Sequence, residues 1–352
     1  MLSPEIVITT ILTLIISIVI TRVLIPWVIH SCTSQGITTV DAHKPNKPVI
    51  AEAGGLAPLL GFIFTILIIV FIWENISWEN VMPQKQPEIF EPLLAGLLSV
   101  VIAGLIGFLD DVFKIRWRDK ILLGFLPAIP LMALKVGTSK INFGFLGIID
   151  FGNLISLPYP IGYINLYSLI IIPLMVNFAF NSFNMLAGFN GLEVGNGTIS
   201  LAIILIAALF VGNPIVTLFV TSLLGGFLVL LRYNWYPAKI LIGDTGTLTL
   251  GTGIVVALII GNMDRLAVGL FGLHFINFLL FFVYIYTHQT AKIATVNDEG
   301  NIVAPCPYTV YWFLPYFLKN ISERKNVVII LLIHTIIALS ILIISLPAFT
   351  PA

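Results

Sequence analysis

Ten apolar stretches run along the chain, separated by short polar segments: 6–29, 53–73, 92–109, 121–134, 163–180, 198–211, 214–231, 245–261, 266–286 and 327–346. A bilayer core takes about 20 apolar residues per helix. The pattern therefore predicts an all-α polytopic membrane protein with about ten transmembrane helices. The uncharged run 198–231 is interrupted by Gly212-Asn213-Pro214, a turn signal, and divides into two helices with a tight hairpin. The run 121–134 is short enough to be re-entrant. The segment 139–162 mixes Gly and Pro with short alternating runs of β-formers and predicts a small external β-hairpin. The aromatic-rich 308–318 is too short to cross and is expected on the membrane interface. The first run is long enough to span and reads as a retained helix rather than a cleaved signal.

Composition agrees. Of 352 residues, 58% are hydrophobic and 10% charged, with mean hydropathy +1.05. Soluble domains carry about 25% charge. Net charge is zero, so no basic surface points to nucleic acid. Cys32 and Cys306 lie far apart, without metal or redox spacing. Alternating the ten spans puts thirteen of the seventeen Lys and Arg on one side. That side is expected to be cytosolic, with both termini outside. The outer loop 74–91, with four Glu and one Lys, has the matching sign. The chain 1–352 then reads as a single transmembrane domain with cytosolic loops 31–52, 110–120, 181–197, 232–244 and 288–326.

The polar residues in those loops carry the candidate chemistry. Asp110 and Asp111 end an apolar run and are followed by Lys114, Arg116, Arg118 and Lys120. Acids at a membrane boundary are expensive and usually functional. An i, i+4 ion pair of Asp110 with Lys114 is the plain alternative, and it leaves the second acid unexplained. Asn177, Asn181 and Asn184 share one helical face, which suits either a site or interhelical hydrogen bonds. Gly188, Asn190, Gly191 and Glu193 follow in a tight, glycine-bounded loop. In Leu241-Ile-Gly-Asp-Thr-Gly-Thr, Asp244 is expected to cap a helix or to hold a ligand beside it. Lys44 and Lys47, in His43-Lys-Pro-Asn-Lys-Pro48, suit a phosphate or a solvated loop equally. The loop 288–326, with His288, Lys292 and the Tyr308–Trp312 aromatics, reads as a membrane-surface segment. Hard oxygen donors without a Cys/His cluster point to magnesium rather than zinc. Magnesium and lysines at a bilayer edge point to phosphoryl transfer on a lipid phosphate. The rival class is an ion-coupled transporter, which would place its acids near the midplane.

The segments Gly107-Phe-Leu-Asp-Asp, Arg116-Trp-Arg-Asp-Lys120, Asn184-Met-Leu-Ala-Gly-Phe-Asn-Gly-Leu-Glu193 and Gly243-Asp-Thr-Gly-Thr resemble the polyprenyl-phosphate N-acetylhexosamine-1-phosphate transferase superfamily. The first three are most similar to its UDP-GlcNAc:dolichyl-phosphate GlcNAc-1-phosphate transferases, the last to its bacterial branches; the mixture looks archaeal. The resemblance implies transfer of a sugar-1-phosphate from UDP-GlcNAc to a dolichyl or polyprenyl phosphate, releasing UMP, as the first step of lipid-linked oligosaccharide synthesis for N-glycosylation. The same chemistry on a cell-wall precursor is the alternative. It implies Mg2+ (or Mn2+) held by Asn184 and Asp244, with catalytic Asp110, Asp111 and Lys120. Substrate contacts are expected from Lys44, Lys47, Trp117, Asn181, Gly188, Asn190, Glu193 and Leu241. The expected setting is the cytoplasmic face of the cell membrane, with a homodimer as a candidate assembly. Where the eukaryotic branch has Cys-Pro-Arg-His-Arg, this chain has Cys306-Pro-Tyr-Thr-Val. Sugar recognition is therefore expected to differ in this loop, with Trp117 and Tyr308–Trp312 as candidate substitutes, or another sugar is used.

Overall fold

The computed structural model describes residues 4–44, 46–75, 87–142, 147–152, 155–157, 162–287 and 293–349. In chain order the first half comprises α1 (Pro4–Ser34), a hairpin of β1 (Thr38–Val40) and β2 (Val49–Ala51), α2 (Leu56–Asn75), α3 (Pro87–Phe113), α4 (Trp117–Leu123) and α5 (Ile129–Ala133). Hairpins β3 (Lys140–Asn142) with β4 (Ile148–Asp150), and β5 (Ile155–Leu157) with β6 (Gly162–Ile164), follow. A π-helical turn Tyr167–Ile171 leads into α6 (Ile172–Met185). Then come α7 (Leu192–Val211), α8 (Pro214–Asn234), α9 (Gly243–Gly261), α10 (Asp264–Leu270) and α11 (Gly272–Thr287). The chain closes with hairpin β7 (Thr295–Val296) and β8 (Ile302–Val303), α12 (Val310–Leu318) and α13 (Glu323–Phe349).

The all-α polytopic architecture is present. Among the described residues, eight helices are long and apolar enough to cross a membrane, and α10 with α11, bent by 56°, are long and apolar enough only when taken together. The stretch expected at 121–134 is not one helix. Pro127 and Pro130 each lack an N–H, and a 3-10 turn, Leu126–Ala128, separates α4 from α5. This broken passage still runs the length of α9. Lys120 meets Asp244 at the start of α9, and the Thr138 N–H donates to Asn262 Oδ1 (2.7 Å) at its end. Two hairpins, rather than the single one expected, lie in 139–162, beyond the same end of α9. Much of the acidic loop 74–91 lies outside the described residues, as do His288 and Lys292.

α9 is the axis. In its apolar window 89% of residues are buried, against 17% for α1, which leaves α1 to face lipid. Gly and Thr dominate its first half, and small residues let neighbouring backbones approach where no hydrophobic drive exists between helices. α2, α3, α6, α7 and α8 all pack on it. The closest crossing is Gly55 on Gly246, where a methyl at Gly55 would overlap the Gly246 backbone. A second cluster, including Phe189, Leu192, Ile302, Cys306, Trp312 and Val327, seats the final loop beside the 186–192 turn. The ends of α3, α6 and α8 and the starts of α2, α7, α9 and α13 thereby meet on one face.

Candidate functional site

The start of α9 organises this face. A helix begins with N–H groups that have no intrahelical partner. Asp244 was the expected cap, but the cap comes from α3. Asp111 Oδ1 accepts the Asp244 N–H at 2.7 Å. Its Oδ2 accepts the Thr245 N–H at 3.0 Å and the Thr245 hydroxyl at 2.5 Å. Ile242, at the capping position, makes no side-chain bond there. The contact needs Gly107 one turn earlier, because a methyl there would overlap the Asp244 carbonyl. Asp111 is thus buried and fully engaged.

Freed from capping, the Asp244 side chain turns toward open space and is 28% exposed. Its Oδ2 lies 2.9 Å from Lys120 Nζ, and its Oδ1 receives the Asn184 amide. That amide is also 3.3 Å from Thr247 Oγ1, one turn along α9. Lys120 bridges Asp244 and Asp110, and Asp110 Oδ1 in turn accepts the Ile115 N–H at 2.7 Å. Burial pulls the Lys120 pKa down, but the Asp244 charge and the bonds to Asp110 and Asp244 outweigh it and hold the ammonium above its ordinary value. The Asp110–Lys114 pair does not form through side chains; Lys114 reaches Glu52 instead, at 3.0 Å.

Opposite Asp244 stands the 188–193 turn. Gly188 and Gly191 both have positive φ, at 153° and 83°. The Gly188 N–H donates to Glu193 Oε1 at 2.6 Å, so the first acid of α7 closes the turn on itself. The Gly191 N–H goes to Asn234 Oδ1 at 3.0 Å, and the Asn234 amide continues to the Ile240 carbonyl at 3.0 Å. The Leu241 N–H donates to the Ala51 carbonyl, joining the β2 end to the α9 approach. His43, on the β1–β2 connection, packs edge-on against Phe189 with 4.8 Å between ring centroids. Burial, then the neighbouring Lys44 charge, lowers its pKa to about 4.

Between these walls lies a cavity of about 380 Å³. Asn184, Gly188, Asn190, Glu193, Leu241 and Asp244 line it, with Asp41, His43 and Glu52 from the first hairpin region. Asp110, Asp111 and Lys120 stand immediately behind Asp244. Four expected contacts lie elsewhere. Lys44 is buried between Asp41 (3.2 Å) and Glu323 (2.5 Å), with both its charge and its reach used up. Lys47 is exposed on the β1–β2 connection and does not line the cavity. Trp117 is exposed on α4, 5.4 Å from the Arg118 guanidinium. Asn181 donates to Asn177, whose own amide satisfies the Ile121 carbonyl at 2.6 Å, so these two amides dock the broken passage. Tyr311 and Trp312 are packed into the loop core rather than facing the cavity. Tyr311 stacks edge-on against Phe189, and Trp312 is buried. Asp41, Asn234 and Glu323 were not singled out from the sequence, and Thr247 was quoted only as part of the Asp244 motif; Asn234 and Glu323 are polar residues near the edges of apolar runs.

The donor set suits a hard cation. Asp244 offers a carboxylate, Asn184 an amide oxygen and Thr247 a hydroxyl, all at the cavity wall. Among the described residues, no group of three or more His, Cys, Asp or Glu is arranged to hold a metal ion; a hard cation can also be held by one or two protein oxygens with phosphates or waters completing the shell.

The family model described as glycosyl transferase family 4 matches residues 93–262, which hold the α3, α6–α7 and α9 parts of the site. A protein of Sulfolobus acidocaldarius provisionally named UDP-N-acetylglucosamine–dolichyl-phosphate N-acetylglucosaminephosphotransferase is 34% identical over 251 residues, covering 69% of this chain and 68% of its own length. The Schizosaccharomyces pombe enzyme of the same name is 27% identical, over 74% of this chain and 64% of its own. A phospho-N-acetylmuramoyl-pentapeptide-transferase of Clostridium botulinum is 32% identical, over 55% of this chain and 59% of its own. With its Asp110–Lys120–Asp244–Asn184 constellation set at one end of a helical membrane bundle, the chain belongs to glycosyl transferase family 4.

Proposed function

We propose that this protein transfers N-acetylglucosamine-1-phosphate from UDP-GlcNAc to a dolichyl or other polyprenyl phosphate, releasing UMP on the cytosolic face. The reading places it at the first committed step of lipid-linked oligosaccharide synthesis. The observation that carries it is Lys120, bridged between Asp110 and Asp244, with Asp244 lining a cavity where helix ends meet. Relatives named for this reaction in archaea and yeasts support the substrate pair.

A phosphate oxygen of the lipid attacks the β-phosphorus of the nucleotide sugar. The new O–P bond forms as the bond to the α-phosphate bridging oxygen breaks, and UMP leaves with that oxygen. A phosphate second pKa is about 6, so the attacking group is largely dianionic at neutral pH and needs no strong base. Lys120 supplies positive charge where negative charge moves. Asp110 aims that lysine, and Asp111 fixes the first turn of α9 and so the place of Asp244. Asn184 and Asp244 would hold Mg2+, which when bound neutralises the pyrophosphate. The acids Asp110, Asp111, Glu193 and Asp244 all lie in terminal turns at one face, away from the midplane position that a transporter needs.

Purified protein with Mg2+, UDP-GlcNAc and a polyprenyl phosphate should release UMP and yield a lipid heavier by one N-acetylglucosamine phosphate. No UMP release with any UDP-sugar would reject the reading. A product formed only from a UDP-muramoyl-peptide would move it to cell-wall precursors.

A further inference from the structure

The last membrane helix opens with a buried acid outside the α3, α6–α7 and α9 motifs. Glu323 is 3% exposed. Its Oε1 accepts the Asn190 N–H at 2.7 Å, and its Oε2 meets Lys44 Nζ at 2.5 Å. Lys44, 6% exposed, also holds Asp41 Oδ1 at 3.2 Å and lies 4.7 Å from the Tyr236 ring centroid. The Asn190 side-chain oxygen accepts the Ala238 N–H at 3.0 Å. The Glu323 carboxylate therefore joins the β1–β2 connection and the 188–191 turn to the start of α13, and the Asn190 side chain carries the link on to the approach to α9.

Three of these four segments line the cavity: Asp41 to His43, Gly188 to Asn190, and Leu241 to Asp244. The turn between the two positive-φ glycines has no ladder to hold it, so the Asn190 N–H depends on Glu323. A buried ion pair is weak as a source of stability, since apolar residues of equal volume often do as well or better. What it supplies here is a fixed acceptor for one backbone N–H in the cavity wall.

We propose that Glu323 is a positioning residue for the nucleotide: it sets the 188–191 wall through the Asn190 N–H, and Lys44 is its counter-charge rather than a phosphate ligand. The substrate named here rests on the transferase reading, so the test reads nucleotide binding directly.

Equilibrium binding of UDP, thermal midpoint and steady-state kinetics would be measured for the wild type, Glu323→Ala, Glu323→Gln, Lys44→Met and the Lys44→Met/Glu323→Gln double variant. Loss of one hydrogen bond is worth about 0.5–1.5 kcal/mol, up to roughly tenfold in affinity. Glu323→Ala is expected to weaken UDP binding and raise KM by roughly that factor, with kcat within about twofold. Glu323→Gln keeps an acceptor oxygen and should stay near the wild type. The double variant leaves only Asp41 without its counter-charge, where Lys44→Met alone strands both Asp41 and Glu323, and should bind UDP better than Lys44→Met alone. A double variant as poor as Lys44→Met would make Lys44 a direct phosphate contact and overturn the proposal. Wild-type binding with Glu323→Ala unchanged would overturn it while leaving the transferase reading intact. A wild-type chain that binds no UDP would remove both.

Discussion

Two lysines in this protein are each held between two acids, and they behave differently. Lys120 sits between Asp110 and Asp244, Lys44 between Asp41 and Glu323. In the second cluster all three side chains are at most 7% exposed. In the first, Asp244 is 28% exposed and Lys120 17%, so one edge of the cluster opens to the cavity. The closed cluster borders the cavity only through the buried Asp41, whereas the open one presents the more exposed Asp244 to it. Charge pattern alone does not distinguish them; the exposure of one acid does.

The sharpest way to break this contrast is to remove each lysine. Lys120→Ala should lower kcat/KM by roughly 10²–10³, the usual effect of deleting a charge-stabilising donor. Lys44→Met should instead lower the thermal midpoint further than Lys120→Ala does, because it strands the buried Asp41 and Glu323, and breaking a buried pair is worth about 3–5 kcal/mol. Equal kcat losses from both would erase the distinction. Next comes the acid at the open edge. Asp244→Asn should cut turnover by about 10² and raise the Mg2+ concentration needed for half activity. An unchanged Mg2+ titration would remove Asp244 from the metal site.

Asp111→Ala tests a smaller effect, the cap at the base of the open cluster. It should destabilise the protein by about 1–2 kcal/mol, read by thermal denaturation in detergent. Full stability with full activity would show that α9 does not need its borrowed cap. The last effect, seen only at acid pH, concerns His43, beside the closed cluster and next to Lys44 and Asp41. Its pKa is lowered from 6.5 to about 4, so as pH falls through that window the unfolded chain takes the proton first and the folded state loses stability. His43→Asn should flatten that part of the stability–pH curve. Superimposable curves would mean that His43 is not held neutral.

The periodicity of apolar runs made eight of the ten passages legible as single helices. Two breaks were hidden: 266–286 bends by 56° between α10 and α11, and 121–134 is apolar throughout, with only Pro127 and Pro130 to hint at its break. Asn184, Asp244, Asp110 and Lys120 stood out because polar residues at the edge of apolar runs are few. Their division of labour did not. That Asp111 caps a helix 133 residues away, or that Glu323 reaches Lys44 across 279, is set by which helix ends meet, and no local pattern encodes it. The same long-range packing ties Lys44 to Glu323, whereas Asn181 bonds Asn177 one turn away on α6.

The borrowed cap also bears on how the molecule is made. A ribosome adds about 5–20 residues per second. The 133 residues between Asp111 and Asp244 then correspond to roughly 7–27 s of synthesis. During that interval the carboxylate of Asp111 has been made, and its partners have not. Deep in hydrocarbon a lone acid would be a liability for so long. At the end of α3, against water, it can wait solvated until α9 arrives.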